Sequence, residues 1–370
     1  MLIGRSPVRI SFGGGGTDLP SYYEQFGGAV LSAAINKYFY TVVGERTDGR
    51  VQVISSDLGV FESWRNVSTM SSRGSGLEIP LAVLKDLGRD LSIDLFLASE
   101  IPPGTGLGSS ASVCVNILQV LATCLGDRLS KYDLAERAFA ITRCNLGQHV
   151  GKQDEYAAAF GGLNHITFHS DGTTKVDPLN IDPNTLSELQ ASLMLFFTGS
   201  AHDSWNLLAN QERSVRMRDR GTVDALHEIK ESAAKMKDAL VASDLRRFGS
   251  LLNEAWQAKK RASPLVSNSR IDQLYDLARG HGALGGKITG AGGGGFLLLY
   301  CEPEVQDIVR SALERAGIQE MNFAFDFQGA QIILNNPFID GDRRGALAGP
   351  SVQPRPLPRP HIPKVSATER

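Results

Sequence analysis

Residues 102–112 read Pro-Pro-Gly-Thr-Gly-Leu-Gly-Ser-Ser-Ala-Ser. Glycines at every second position from Gly104 to Gly108, followed at once by Ser109 and Ser110, join two stretches of different period. Residues 92–98 alternate as a strand does, and residues 107–125 are mostly apolar and long enough for a buried helix. The strand is expected to end at Glu100 and the helix to begin near Ser109. Glycine lets a backbone come close to a ligand. The start of a helix offers unpaired N–H groups and the positive end of its dipole, a combination that suits phosphate. The two serine hydroxyls would add hydrogen bonds or ligate a magnesium ion. The loop is not a Walker A sequence, since no Gly-Lys-Ser/Thr follows, and it lacks the Gly-x-Gly-x-x-Gly spacing of dinucleotide sites. A plain glycine turn with a serine cap accounts for one glycine and one serine, not for the whole pattern.

The chain as a whole gives such a ligand no help. With 38 basic and 40 acidic side chains its net charge is −2, so there is no general drive toward nucleic acid or an acidic membrane. Any anion must be held by local groups. No run reaches 18 apolar residues, which argues against a transmembrane helix. The N-terminus, with Arg5 and Arg9 around a strand-like stretch, lacks the apolar core of a signal peptide. Cys114, Cys124, Cys144 and Cys301 show no two-residue metal or redox spacing and read as buried free thiols. A soluble, cytoplasmic protein is expected.

Short β-prone runs occupy residues 8–12, 38–43 and 51–55, and again 163–168, 193–197, 295–300 and 323–327. An amphipathic helix is expected over 131–146, and a helical region from Asp203 to about Arg279, including 245–260 and 271–278, with one more helix over 304–316. The polar, turn-rich stretch 177–184 suggests a domain division near residue 180. Six of the sixteen prolines fall between Pro350 and Pro363, so residues 343–370 read as a disordered tail.

Two further glycine clusters flank the first. Arg5-Ser6-Pro7-Val8-Arg9-Ile10-Ser11-Phe12 leads into Gly13-Gly14-Gly15-Gly16-Thr17-Asp18, placing Asp18 after a glycine turn, where it would accept hydrogen bonds from substrate hydroxyls or cap a helix. Gly285-Gly286-Lys287-Ile288-Thr289-Gly290-Ala291-Gly292-Gly293-Gly294-Gly295 precedes an apolar strand, and so many glycines fit a close approach to a ligand or another loop.

These three clusters, in this order, resemble the three motifs of the GHMP small-molecule kinases. The first cluster, the segment Gly151-Lys152-Gln153-Asp154-Glu155-Tyr156-Ala157-Ala158-Ala159-Phe160-Gly161-Gly162 and the run Gly-Ala-Leu-Gly-Gly-Lys ending at Lys287 resemble the heptose 7-phosphate kinase branch, with fucose 1-kinases as near neighbours. The resemblance covers about residues 3–335 and leaves out the proline-rich tail. It implies an α+β, two-domain architecture, with a ribosomal-protein-S5-like N-terminal domain over 1–180, a ferredoxin-like C-terminal domain over 181–342, and the active site between them. It implies transfer of the γ-phosphoryl of ATP, with Mg2+, to the anomeric hydroxyl of a small-molecule sugar or sugar phosphate by a monomer or homodimer, on a route to a nucleotide-activated heptose.

Carried over residue by residue, the resemblance assigns ATP binding to Pro103, Gly104, Thr105, Gly106, Leu107, Gly108, Ser109 and Ser110, with Gly290 and Gly292 in support and Ser110 on the metal. Asp154 matches the catalytic aspartate, accepting or orienting the proton of the attacking hydroxyl. Arg9, nine residues before Asp18, would stabilise O1 or the transferring phosphoryl, or else pair with Asp154. Asp18, Gly16, Thr17 and Lys152 would hold the sugar. Sugar kinases of this kind carry a metal-binding glutamate twelve residues before the catalytic aspartate; here that position is Thr142, and Glu136 stands six residues earlier. A threonine lacks the charge a hard cation prefers, so magnesium is left to water and ATP or to another acid, and a weak relative acting as a sugar or nucleotide sensor stays open. For a sugar phosphate, Arg5, Lys37, Lys152 and Arg143 are the basic candidates by motif proximity; His149, His165 and His169 read as ordinary histidines.

Overall fold

The computed structural model describes residues 1–71, 74, 76–199 and 204–336. Asp203, the expected tail 343–370 and its prolines lie outside the described residues. The first half builds a large sheet from β1 (Leu2–Gly13), and then, after α1 (Pro20–Phe26), from β2 (Gly28–Glu45), β3 (Val51–Ser55) and β4 (Val60–Trp64). α2 (Glu78–Leu87), β5 (Ile93–Ser99), α3 (Ser109–Cys124), α4 (Lys131–Ala140), α5 (Gln153–Phe160), β6 (Leu163–Phe168) and β7 (Thr174–Pro178) follow. The second half runs α6 (Pro183–Ser192), β8 (Leu193–Phe197), α7 (Ser204–Arg216), α8 (Arg220–Val241), α9 (Leu245–Ala262), α10 (Ser269–Gly280), β9 (Gly285–Ile288), β10 (Phe296–Tyr300), α11 (Pro303–Arg315), β11 (Gln319–Glu320) and β12 (Gln331–Asn335).

The long β2 organises the large sheet. Residues 28–33 pair with β6 and residues 39–45 with β5, while β1 runs antiparallel along the other edge of β2. The order β12-β1-β2-β5-β3-β4 contains a single parallel pair, β3 with β5. The smaller sheet, β11-β8-β10-β9, is antiparallel throughout. No helix among the described residues is long and apolar enough to cross a membrane.

The two halves share their interior. One apolar cluster unites Val8, Ile10 and Phe12 of β1 with Leu193, Phe248 and Leu298 of the second half. In it the Phe12 and Phe248 rings meet edge to face at 5.3 Å, an arrangement worth about 0.5–1.5 kcal/mol beyond the area buried. The Lys287 ammonium on β9 donates to the carbonyls of Ser11 and Phe12 at 2.8 and 3.3 Å, tying the small sheet to the end of β1. The chain also returns: β12 pairs with β1, so the sequence beyond residue 330 completes the first half's sheet.

Two expected elements and the reading of the cysteines come out differently. The helix expected over 131–146 is α-helical only to Ala140 and continues as a π-turn, Ile141–Asn145. The Thr142 hydroxyl lies 3.2 and 3.1 Å from the Ala138 and Phe139 carbonyls, local bonding of the kind that bends helices. Residues 323–327 form no strand, only a single bridge from Phe325 to Ile35, because Asn36 takes up both backbone groups of Ala324 while the Phe323 and Phe325 rings pack inward and Phe327 stays exposed. All four cysteines are free, but only Cys114 and Cys301 are buried, and Cys144 is exposed.

Candidate active site

A cavity of about 310 Å3 opens where the glycine end of β1, the start of α3, the start of α5 and the loop around Gly290 converge. Its floor is the phosphate-loop candidate. Gly104, Gly106 and Gly108 have φ of 75°, 79° and 77°, and such alternation of hand shapes a backbone into an anion-binding concavity. Gly108 caps α3 with no side-chain hydrogen bond to the first turn, so no side chain satisfies the leading N–H groups of a 16-residue helix. Gly104, Gly106, Gly108, Ser109 and Ser110 line the cavity. Pro103 is exposed outside it, Thr105 ties the loop to the Pro102 carbonyl at 2.9 Å, and Leu107 is sunk in the core, its carbonyl accepting from the Arg9 N–H.

The third glycine cluster presses on this floor. A Cβ on Gly106 would stand 2.6 Å from the Thr289 carbonyl oxygen, and one on Gly290 the same distance from the Gly106 Cα. Gly290 and Ala291 line the cavity, whereas Gly292 faces the backbone of Val266.

At the other end of the floor, Arg9 grips Asp154 with two hydrogen bonds of 2.7 Å and donates to the Gly106 carbonyl at 2.6 Å. Arg9 is buried, with 4% of its side chain exposed, while 26% of the Asp154 side chain faces the cavity. A Cβ on Gly108 would meet the Asp154 carboxylate at 3.1 Å, so the acid lies directly against the phosphate loop. Asp18, 3% exposed, accepts from the Gly16 N–H at 2.9 Å and from both the backbone and the side-chain amide of Gln153 at 3.2 and 3.1 Å. Burial and the neighbouring Asp154 charge push its carboxyl above the usual carboxylate range. Asp18 and Gly16 line the cavity; Thr17 does not, its hydroxyl donating to the Gly14 and Ala29 carbonyls.

Lys152 is drawn away from the cavity. Its ammonium donates to Glu136 at 2.7 Å and to the Gly172 carbonyl at 2.8 Å, among the rings of Tyr23 and Phe139. Glu136 is thereby spent as well, accepting also from the Tyr156 hydroxyl. Arg5 lies over the Tyr38 ring and donates to Gln331, on the far edge of the sheet. Lys37 is not among the lining residues. Arg143 pairs with buried Glu212 at 2.7 Å and donates to the carbonyl of Gln148, which does line the cavity. Burial lowers the basicity of His165, and His165 and His169 line a different depression.

Several lining groups carried no signal in the sequence. His149, read there as ordinary, hydrogen-bonds to Glu212 at 2.9 Å and packs edge-on against Trp205, while Gln211 donates to the Gly16 carbonyl. Thus α7 closes one wall. Lys259 on α9 donates to the Gly290 carbonyl and lines the cavity. Burial first, and then the Arg9 charge, push its ammonium down to about 7, against a smaller opposing pull from Asp18. A polyanion entering the cavity favours the charged form, so anion binding above pH 7 draws in a proton. Titration calorimetry of ATP binding at pH 8, in two buffers of different ionisation heat, is expected to show uptake of up to about one proton, and Lys259→Met to abolish it. Buffer-independent heats for the unsubstituted protein would contradict this.

Comparison with known proteins agrees with the geometry. Residues 78–162 match the GHMP kinase N-terminal domain and residues 236–319 the GHMP kinase C-terminal domain. The chain is 32% identical over 332 residues to a D-glycero-alpha-D-manno-heptose 7-phosphate kinase of Campylobacter jejuni, covering 88% of this chain and 97% of that one. A crystal structure of a D-glycero-D-manno-heptose 1-phosphate kinase from Bacteroides thetaiotaomicron superposes with a TM-score of 0.76 at 30% identity, over 91% of this chain and 100% of the other. An L-fucokinase/L-fucose-1-P guanylyltransferase of Bacteroides fragilis is 26% identical over 84% of this chain but 36% of its own length. With both family domains matched and a relative aligned almost end to end, the chain belongs to the GHMP kinase family.

Proposed function

We propose that the protein is an ATP-dependent sugar kinase that phosphorylates the anomeric hydroxyl of D-glycero-D-manno-heptose 7-phosphate, giving the 1,7-bisphosphate, in the cytoplasm. The observation that carries this reading is the Arg9–Asp154 pair seated against Gly108, which sets a proton acceptor beside a phosphate cradle within one cavity. As O1 attacks the γ-phosphorus, the O1–P bond forms, the bond to the β-phosphate oxygen breaks and the O1 proton passes to Asp154. Arg9 fixes the orientation of that carboxylate, and its charge lies beside the Gly106 carbonyl, on the path of the transferring phosphoryl. The N–H groups at the start of α3 and Lys259 hold the phosphates; the walls from α7 exclude water. The donor set suits magnesium, with Ser109 and Ser110 hydroxyls at the phosphate loop, and when bound such an ion neutralises charge on the phosphate oxygens.

A second reading, a 1-kinase of an unphosphorylated sugar such as fucose, is favoured by the placement of Arg5, Lys37 and Lys152 outside the cavity lining. ADP release with MgATP across the heptose 7-phosphate, fucose, galactose, mannose and a blank, with the product read by phosphorus NMR, separates the two. Turnover confined to the heptose phosphate, with a new anomeric phosphate signal, is expected. Turnover of a free sugar would replace the first reading with the second, and ATP binding without transfer to any sugar would overturn both.

A further inference from the structure

Glu155 is 2% exposed and stands in the first turn of α5, next to Asp154. One carboxylate oxygen, Oε1, lies 3.1 Å from the Thr142 hydroxyl; the other, Oε2, is buried and has no hydrogen-bond partner among the described residues. Buried carboxylates are normally saturated with donors or paired with a cation, and this one has neither. The charged groups acting on it are Asp154 and Asp18, both acids. Thr142 offers it little, since the single proton of that hydroxyl is shared with the Ala138 and Phe139 carbonyls.

What Glu155 does have is a place on the wall of the cavity, beside Thr142 and together with Ser110 and Asp154. We infer that Glu155 is the carboxylate ligand of a divalent cation bound with the nucleotide, standing in for the acid that position 142 lacks. The inference rests on the cavity being the site of a metal–nucleotide complex. Hard oxygens are the donors magnesium takes, and it typically uses one or two carboxylates and completes its octahedron with phosphate oxygens and water. No cluster of three acidic, histidine or cysteine side chains is preassembled among the described residues, so the phosphates and the Ser110 hydroxyl must supply the remainder. This explains why the carboxylate is left unsatisfied. Its missing partner arrives with the ligand, and Thr142, on the widened backbone at Ile141–Asn145, touches only Oε1 and leaves Oε2 for that partner.

The test uses Mn2+ as a spectroscopic stand-in for magnesium and adenylyl imidodiphosphate, which is not hydrolysed. Free Mn2+ is followed by electron paramagnetic resonance against full-length protein, unsubstituted, Glu155→Gln and Glu155→Gln/Thr142→Glu. Expected is a weakening of Mn2+ affinity in the ternary complex by about tenfold or more in Glu155→Gln, unchanged affinity for the nucleotide without metal, and recovery in the double variant. Equal Mn2+ affinity in Glu155→Gln and the unsubstituted protein overturns the inference and makes Glu155 a buried structural acid. Should Glu155→Gln fold poorly by circular dichroism, Glu155→Asp, which keeps the charge but retracts it by one methylene, is read by the same criterion. An unsubstituted protein that binds no nucleotide overturns the kinase reading itself, an outcome distinct from nucleotide binding with unaltered metal affinity.

Discussion

Asp154→Asn is expected to lower kcat by about 10²–10⁴-fold while leaving ATP affinity within about threefold. Asparagine keeps the volume and one oxygen acceptor, so the glycine-lined loop, whose Gly108 lies against this side chain, is expected to keep its shape. What is lost is the ability to take a proton, together with half of the two-point contact to Arg9. Because Arg9 is itself buried, its lost partner weakens the fold; Asp154 is part-exposed, so the loss is smaller than for a fully enclosed pair. The informative comparison is Arg9→Lys. It preserves charge but not the fork that holds both carboxylate oxygens and the Gly106 carbonyl at once. If Arg9 positions and Asp154 accepts the proton, Arg9→Lys keeps more of the turnover than Asp154→Asn does. Single-turnover mixing with MgATP and saturating sugar reads the chemical step directly. An Asp154→Asn protein that retains more than about a tenth of the rate would remove Asp154 from the proton-accepting role.

The parts of this structure that were legible in the chain are those written locally. Residues 51–55, 163–168 and 193–197 are strands end to end because β-branched or aromatic runs are bounded by turn formers. The loop from Gly104 to Ser110 was legible for a similar reason, since strand, glycine alternation and helix start are consecutive. Illegible were features fixed by distant partners. β9 is a strand that begins Gly-Gly; a Cβ on Gly285 would stand 2.0 Å from the Gly249 carbonyl oxygen of α9 and one on Gly286 2.3 Å from the Leu298 carbonyl oxygen of β10, so these glycines answer to packed neighbours, not to a turn. Lys152 lies inside the motif that carries Asp154, yet its charge is consumed by Glu136, sixteen residues away in sequence and one helix away in space. Lys259 looks like any basic residue on an amphipathic helix, and only the seating of α9 beside the Gly290 loop turns it toward the cavity. Glu155 shows the same limit most sharply. The sequence flagged the absence of an acid at 142, but which acid faces the vacated position depends on the packing of α5 against the π-turn.

Gly106→Ala is expected to reduce kcat/KM for ATP by about a hundredfold, the scale of a misplacement near 1 Å in a reacting geometry. Two costs act at this position. The φ of 79° lies where an L side chain is strained, by about 1–2 kcal/mol. The added Cβ would also stand 2.6 Å from the Thr289 carbonyl oxygen and 3.1 Å from its carbon, backbone atoms that cannot rotate aside. The two loops must therefore separate, and with them the Arg9 contact to the Gly106 carbonyl and the Lys259 contact to Gly290. Gly126→Ala separates the two costs. Its φ is 82°, but an added Cβ there meets nothing within 4 Å. Both variants are expected to lose a comparable increment of thermal stability from backbone strain, and only Gly106→Ala to lose ATP turnover. If both lost activity equally, general destabilisation rather than loop contact would be the cause. If neither did, the close seating of the third glycine cluster on the phosphate loop would have no part in catalysis. The asymmetry expected between them follows from the fold: β12 and the shared apolar core lock the two halves together, so a methyl group wedged between their loops cannot be relieved by moving one half as a whole, and the displacement is absorbed in the glycine-lined floor of the cavity.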